Sequence, residues 1–367
     1  MANNQLYLAM SEDAIRGTPV ATYGFLPILG GDLPTFEPDD KPRLEFRGEE
    51  TALGDRYTRR MSTKWSYSPE IPFFTEAGTT KGMMGTILKH FFGLATSAQN
   101  GGTGQYYHMM YPMSDPFKAA NLGTKSFTLY SNISAGTAAV KAQYFKGGRI
   151  SGLTFKQEVG QILSLTPTMF GTTVLADQTA IATPAFAAEN LRCNYNNLKA
   201  YYGAPTRTGT APDYTEFASG TAVQASPDSL SISITNLFED KIRLSGLAYA
   251  DKTTLGKYAV EIEMGFDWDD PAAGFSSYDD YVAWLGSTGE STTNFFYNWD
   301  TGTIAGTAGA DNHGLILDIP RCQRMGNTPS FTPDRDPLTT IKYKGEFDAA
   351  TTEYICGCML KNSATSI

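Results

Sequence analysis

The sequence predicts a mainly β protein made of two tandem β-sandwich domains, each with one flanking α-helix. The 367 residues include 36 Gly, 20 Tyr and 21 Phe, and aromatic residues pack well on sheets while glycine forms turns. A strand with alternating apolar residues occurs twice, at 64–74 and 257–268. A helix pattern follows each strand at the same offset of 193 residues (258 − 65 for the strands, 286 − 93 for the helix ends). The repeated order indicates an internal duplication, whereas a chance match between alternating strands is the alternative.

The first copy is predicted to occupy residues 33–171, after an extended N-terminal arm at 1–32. The stretch "LPTFEP" suggests a first strand, and a loop dense in both charge signs separates it from strand 64–74. Thr79 or Thr80 can cap the helix that follows, and Gly93 can end it. The helix carries an apolar stripe of Met83, Met84, Ile87, Leu88 and Phe91. Further strands are expected around 105–112, 126–132 and 149–170.

The second copy is predicted at residues 225–367, after a connector at 172–224 that is rich in Ala, Thr, Gly and Pro. Its helix is expected to begin at Ser276 or Ser277, with Asp279 and Asp280 favouring the positive helix start, and to end at Gly286. The expected strands of this copy are 229–236, 257–268, 293–298, 314–320, 339–347 and 352–360.

Strand 258–268 has two different faces, because successive side chains of a strand point to opposite sides. One face is apolar and suited to a core: Tyr258, Val260, Ile262, Met264, Phe266 and Trp268. The other face has three carboxylates and no base: Ala259, Glu261, Glu263, Gly265 and Asp267. At the offset of 193, Glu70 of the first copy aligns with Glu263.

Charge and cysteine content limit the possible classes of function. The net charge of −9 argues against tight nucleic-acid binding, which needs Lys and Arg to displace counterions. The N-terminal residues lack the pattern of a secretory signal, and no stretch approaches 18 consecutive apolar residues, so no membrane-spanning helix is expected. Cys193, Cys322, Cys356 and Cys358 are too few for a disulfide framework, and we expect reduced, structural thiols.

The sequence contains no recognisable catalytic motif, cofactor site or metal site. His90 and His108 are expected to be structural, and His313 near Asp311 fits a turn better than a metal site. The acidic run "FDWDDP" could bind calcium or supply a carboxylate pair for glycoside hydrolysis, although such a strand end is usually solvated surface. We therefore expect a protein that is not an enzyme and has no cofactor.

The order of arm, strand, long charged loop, strand, helix and further strands resembles the tail tube proteins of long-tailed bacteriophages. The resemblance is carried by "GTPVATYGFLPI", "EFRGEETALGDRYTRR", "KWSYSPEIPFFTEAGTTKGMMGTILKHFFG" and "ISGLTFKQEVGQILSLTP". It covers roughly residues 30–171 and again 225–362. In that family a small β-sandwich with one flanking helix forms stacked rings, and the strands of a ring join into one barrel around a bore.

The resemblance implies a structural virion protein of a siphovirus tail, assembled in the cytoplasm of the bacterial host, with DNA passing through the tube without specific binding. Implied partners are further copies of the chain, the tape measure protein, and tail terminator or tip proteins, with no membrane. Two copies of the fold in one chain favour a homotrimeric ring with pseudo-sixfold symmetry, a homohexamer being the alternative. Glu70, Glu261, Glu263 and Asp267 are candidates to face the lumen, unless their face is the outer, solvated side of the sandwich. The candidates for contact between rings are Arg47, Glu49, Glu50, Asp55, Arg59 and Arg60.

Three other classes compete with a tail tube. A baseplate or capsid-decorating protein shares the β-rich character. A carbohydrate-active β-sandwich enzyme would use the acids near residue 267. An outer-membrane barrel is disfavoured by the missing signal pattern.

Overall fold

The structure is a computed structural model. It describes residues 7–20, 23–37, 40–42, 56–58, 64–75, 83–112, 126–133, 141–179, 185–186, 188–211, 213–218, 223–236, 239–241, 252–254, 256–271, 274–286, 292–307, 311–332, 335–365 and 367.

Strands make up most of the described residues, and all of their pairings are antiparallel. The strands are β1 (Tyr7–Ile15), β2 (Thr18–Pro19), β3 (Gly24–Leu26), β4 (Thr35–Glu37), β5 (Asp40–Pro42), β6 (Arg56–Thr58), β7 (Lys64–Tyr67), β8 (Ile71–Pro72), β9 (Leu94–Gln99), β10 (Tyr106–Met110), β11 (Phe127–Ile133), β12 (Lys141–Glu158), β13 (Ser164–Gly171), β14 (Thr173–Thr179), β15 (Leu198–Tyr202), β16 (Thr206–Thr210), β17 (Asp213–Ala218), β18 (Val223–Ala225), β19 (Ser229–Asn236), β20 (Glu239–Lys241), β21 (Lys252–Thr254), β22 (Tyr258–Asp267), β23 (Thr292–Ile304), β24 (Asn312–Thr332), β25 (Arg335–Gly345) and β26 (Gly357–Asn362). The helices are α1 (Met83–Phe92) and α2 (Ser277–Gly286), and short 3-10 turns lie at Glu189–Leu191 and Tyr195–Asn197.

A continuous sheet, the central sheet, runs through both predicted domains. Its order is β4, β7 with β8, β13, β12, β19, β22, β25 and β24. The first four positions come from before residue 172 and the last four from after residue 228. The two sets meet where the C-terminal half of β12 pairs with β19, from Gly152 opposite Thr235 to Glu158 opposite Ser229.

The same order of pairing occurs in both sets. In the first set, β7 pairs with β4 and β13, and β13 pairs with β12. In the second set, β22 pairs with β19 and β25, and β25 pairs with β24. The N-terminal half of β12 lies between β11 and β14, as that of β24 lies between β23 and β26. β11 also pairs with β1, which pairs with β3. In the same way, β23 pairs with β15, which pairs with β18. The first half of the chain therefore has a counterpart for each of these strands in the second half.

These flanking strands pack as outer layers on the apolar face of the central sheet. In the first half, Phe145 of β12 contacts Tyr67 of β7 with 5.9 Å between ring centroids. In the second half, Phe295 of β23 contacts Tyr343 of β25 at 4.7 Å. All four side chains are buried. Their burial removes apolar surface from water and stabilises the layered fold.

The two helices differ in their surroundings. Nine of the ten residues of α1 are buried, including the predicted apolar stripe. In α2 only Ser277 and Asp280 are buried. Ser276 caps α2 as predicted, because its hydroxyl accepts a hydrogen bond from the backbone N–H of Asp279 at 2.9 Å.

Several predicted elements differ in extent from the observed ones. The single strand expected at 149–170 is wrong: β12 and β13 are two strands joined by a turn in which Gly160 has a φ of +81°. The predicted arm contains β1, a strand paired with β11. The predicted connector contains β14 to β18. The domain boundaries that we predicted from sequence remain a prediction.

Candidate functional site: the exposed face of the central sheet

The face of the central sheet opposite the core, here called the exposed face, consists of side chains in regular cross-strand rows. On β22, Glu261, Glu263 and Asp267 are exposed, whereas Val260 and Ile262 are buried, so the predicted two-sided character of this strand is confirmed. The pairings place one row along Thr166, Thr154, Ser233, Glu261 and Lys344. The adjacent row contains Ser164, Lys156, Ser231, Glu263 and Lys342.

The exposed face carries bases as well as acids. Lys344 lies opposite Glu261 on the neighbouring strand, and Lys342 lies opposite Glu263, with 3.0 Å between its Nζ and the carboxylate. The sequence of β22 alone predicts a face without basic residues, but the neighbouring strand β25 contributes these two lysines to it. Because both partners of the Glu263 pair are half exposed, the pair contributes only about 0–1 kcal/mol to stability.

Among the side chains that the structure describes, acidic residues cluster at one end of the exposed face. Asp267 lies at the end of β22, and Asp228 donates its backbone N–H to the carbonyl of Gly265 at 2.8 Å. Burial and the charge of Asp267 both raise the pKa of Asp228. Glu158 ends β12 at the same side, with its carboxylate 3.1 Å from the ammonium of Lys156.

The strand pairings align the two halves of the chain at an offset that differs from the predicted 193 residues. Gly171 pairs with Trp65, and Gly345 pairs with Val260, so β7 and β22 correspond at an offset of 195 (260 − 65). Glu70 therefore corresponds to Gly265 and not to Glu263. It lies half-buried between β7 and β8, and its backbone bonds to Leu29 and Gly30.

The other predicted site residues have different environments. The candidates for contact between rings, Arg47, Glu49, Glu50, Asp55, Arg59 and Arg60, all lie outside the described residues. In the acidic run, Asp269 and Asp270 help to hold the start of α2, because the Asp270 carboxylate accepts a hydrogen bond from the hydroxyl of Ser276 at 3.1 Å. The backbone N–H of Asp269 bonds to the Ser277 hydroxyl at 2.9 Å.

The histidines and cysteines are part of the packed structure. The His108 ring lies 2.8 Å from the Ser97 hydroxyl and 3.0 Å from the Asn362 amide oxygen, and His90 lies 3.1 Å from the Glu12 carboxylate. All four cysteines are buried and unpaired, as predicted. Among the described residues, no group of three or more His, Cys, Asp or Glu side chains could hold a metal ion.

Two buried carboxylates, which sequence reasoning missed, join separate elements. Asp318 of β24 accepts hydrogen bonds from the Arg207 guanidinium at 2.8 and 3.0 Å and from the Tyr354 hydroxyl at 2.5 Å. Burial raises the pKa of Asp318, and Arg207 opposes that shift. Asp280 of α2 pairs with Arg324 of β24. No sequence motif indicates either pair, because the partners lie 111 and 44 residues apart.

The fold and this face define a mainly β protein whose central sheet has one buried apolar face and one exposed polar face. A family model described as phage tail tube protein matches residues 49–337, which is most of the chain. A comparison with curated proteins finds no match. The chain belongs to the phage tail tube protein family. It is thus a structural tail tube protein and a virion component, and no helix in the described residues is long and apolar enough to cross a membrane.

Proposed function

We propose that this chain assembles with copies of itself into stacked rings that form a phage tail tube, with three chains in each ring. The observation that carries the proposal is the central sheet, in which two four-stranded sets of the same order are already joined through β12 and β19. An internal duplication accounts for this arrangement. Three chains would then provide six such sets and a pseudo-sixfold ring.

The dimensions of such a ring suit a DNA channel. Three central sheets of eight strands give a barrel of about 24 strands at ~4.8 Å spacing. With a strand tilt of ~40°, the backbone diameter is roughly 45–50 Å. Side chains on the inner wall narrow this bore, and the remaining space is sufficient for a DNA duplex.

The exposed face is suited to line that bore. Among the described side chains of this face, the hydroxyls are uncharged, the lysines are placed beside glutamates, and the remaining charge is acidic. DNA carries one negative charge per roughly 1.7 Å, so a basic wall would hold it. A weakly acidic wall repels phosphates only within a screening length of ~8 Å at physiological salt, so that DNA could slide past it.

Other proposed features follow from the family resemblance. We assign the charged loop with Arg47, Glu49, Glu50, Asp55, Arg59 and Arg60 to contacts between rings. The tape measure protein, and terminator or tip proteins, would bind inside the tube and at its ends. Assembly in the cytoplasm of the bacterial host would place the finished tube in a siphovirus tail.

Electron microscopy of the purified protein tests the proposal. Averaged images of rings or tubes should show threefold symmetry with a sixfold pseudo-repeat, and mass per unit length should correspond to three chains per ring. Six chains per ring would contradict the duplication, and solitary particles at every concentration would contradict tube formation.

The lumen assignment has its own test in phage. Changing Glu261 and Glu263 to Lys should leave tubes intact, because no buried contact is lost, but should reduce DNA delivery as the new ammonium groups pair with phosphates. The matched control changes Lys342 and Lys344 to Glu on the same face, and delivery should be retained. Normal delivery by assembled Lys variants would show that this face does not line the DNA path.

A further inference from the structure

The two ends of the central sheet have free edges in the described part of the chain. At one end, residues 324–332 of β24 pair only with β25. At the other end, β7 is the only described strand that pairs with Thr35–Glu37 of β4. Unpaired strand edges can pair with another chain. Within one subunit, β12 of the first half pairs with β19 of the second half, so that these two edges are covered. The strands that correspond to them, β24 in the second half and β4 in the first half, each have an edge that no other described strand covers.

The junction of β12 with β19 provides a template for closing these edges. The backbone N–H of Val159 bonds to the carbonyl of Asp228 at 3.1 Å, which fixes the alternation of hydrogen-bonded pairs along the ladder. Thr154 and Ser233 are consequently a non-hydrogen-bonded pair, whose side chains approach closely. Their hydroxyls lie 3.5 Å apart on the exposed face.

Because the strands of the two halves correspond, the register of β12 with β19 predicts a register for pairing at the free edges. Gly152 and Gly326 each follow a one-residue bulge at the same place in their ladders, so Thr154 corresponds to Thr328. Thr35 corresponds to Ser233, because each lies opposite an equivalent residue of β7 or β22. We infer that β24 of one copy pairs antiparallel with β4 of the next copy, with Thr328 opposite Thr35. This inference rests on the proposed self-assembly and specifies its interface.

Two prolines limit the length of this ladder between chains. In the proposed register Pro329 lies opposite Pro34 at the next hydrogen-bonding position, and neither residue has an N–H to donate. The paired segment is therefore short and comprises residues 326–328 and 35–37. Additional contact area is needed to hold neighbouring subunits together.

The α2 helix is positioned to supply that area. In the first half, α1 is covered by residues of the second half: Tyr258 donates a hydrogen bond to the Phe91 carbonyl at 2.7 Å, and Lys89 donates one to the carbonyl of Ile367 at 2.7 Å. A Cβ at Gly85 would lie 2.6 Å from the Ile367 side chain, so this packing is close. The equivalent cover of α2 would come from the first half of the next copy.

The apolar face of α2 is exposed in the single chain, as this arrangement requires. Tyr278, Val282 and Leu285 lie at i, i+4 and i+7 on one side of the helix, with exposed fractions of 43%, 46% and 61%. The edge of β24 and this face of α2 together form one head-to-tail interface, and its occupant is a second copy of this chain.

A cysteine pair tests the register. Thr35→Cys with Thr328→Cys should form disulfides between chains in assembled protein, giving a covalent ladder that ends at three chains under oxidising, denaturing electrophoresis. Thr154→Cys with Ser233→Cys, the matched control, should form the bond within one chain without a change in mass. Thr35→Cys with Ser330→Cys, shifted by two residues on the same face, should cross-link poorly.

The outcomes separate the interface from the proposed function. If unmodified protein forms no rings, tube formation fails. If it forms rings, and the Thr154 and Ser233 control cross-links while Thr35 and Thr328 do not, the register is wrong. A ladder ending at six chains would support the register and contradict the trimer.

A second pair of variants tests the helix. Leu285→Asp should weaken ring association about tenfold or more, the effect of losing one buried leucine side chain, while leaving the circular dichroism spectrum of the subunit unchanged. Ala283→Asp adds the same charge to an exposed position of α2 outside the apolar stripe, and should associate like the unmodified chain. Equal association by both variants would exclude the α2 face from the interface.

Discussion

Gly152 and Gly326 occupy the same position in two ladders of one chain, each directly after a one-residue bulge. Gly152 lies opposite Thr168 after the bulge in β12, and Gly326 lies opposite Lys342 after the bulge in β24. A bulge bends a strand and increases its local twist. The bend allows the N-terminal half of each strand to join an outer layer while the C-terminal half joins the central sheet.

The central sheet should tolerate a methyl group at Gly326 but not at Gly345. A Cβ at Gly345 would lie 2.8 Å from the Cβ of Val260, whereas a Cβ at Gly326 would meet nothing within 4 Å. Gly345→Ala should lower the free energy of unfolding by about 1–3 kcal/mol through overpacking. Gly326→Ala, the control, should be neutral or slightly stabilising. Urea unfolding of both variants measures the difference, and equal midpoints would contradict the packing argument.

The buried pair of Asp280 and Arg324 should make a large contribution to the attachment of α2. Their side chains are only 3% and 6% exposed, and the Asp280 carboxylate also accepts a hydrogen bond from the Tyr343 hydroxyl at 2.6 Å. Asp280→Ala would leave the guanidinium buried without a counter-charge, and should cost about 3–5 kcal/mol in the free energy of unfolding. Asp279→Ala, next to it on the exposed side of α2, should cost no more than about 1 kcal/mol. Similar losses for the two variants in urea titrations would contradict this role.

The helices and the strand β22 could be predicted from sequence because each has a strong local pattern. The observed α2 begins at Ser277, as predicted, and α1 ends at Phe92, directly before the predicted stop at Gly93. The predicted caps of α1, Thr79 and Thr80, lie outside the described residues. β1 was missed as a strand because five consecutive residues, Tyr7 to Ser11, are buried, so the alternation typical of a half-exposed strand is absent. The strands of the predicted connector were hidden by its small and polar composition.

The register between the halves could not be predicted from sequence, although the faces could. The predicted offset of 193 and the observed 195 differ by two residues, and a shift of two leaves every side chain on the same face. The predictions that Val260 faces the core and Glu261 faces away from it are therefore correct, although the predicted offset is not. Lys342 and Lys344 were missed as neighbours of the glutamates because strand order is a tertiary property that one strand does not encode.

The four cysteines should be unreactive in the folded chain. Burial raises the pKa of the thiols of Cys193, Cys322, Cys356 and Cys358, so the reactive thiolate is scarce and also inaccessible. A colorimetric thiol reagent at pH 8 should label none of them within the time needed to label all four in guanidinium chloride. Rapid labelling of the native chain would show that the surrounding layers open readily.

Buried His313 should make the folded chain less stable as the pH falls below neutral. Its side chain is 2% exposed, and burial lowers its pKa from 6.5 to about 4. Between these two pKa values the unfolded chain binds a proton that the folded chain excludes, so stability is fully present above pH 6.5 and decreases towards pH 4. The slope from this group is at most about 1.4 kcal/mol per pH unit.

His313→Leu removes the ionisable group, and the stability of this variant should depend less steeply on pH between 6.5 and 5, where most carboxylates remain charged. Comparison at pH 8, where the imidazole is neutral in both states, separates the packing effect of the substitution from protonation, and parallel stability curves for the two proteins would show that His313 does not cause the loss.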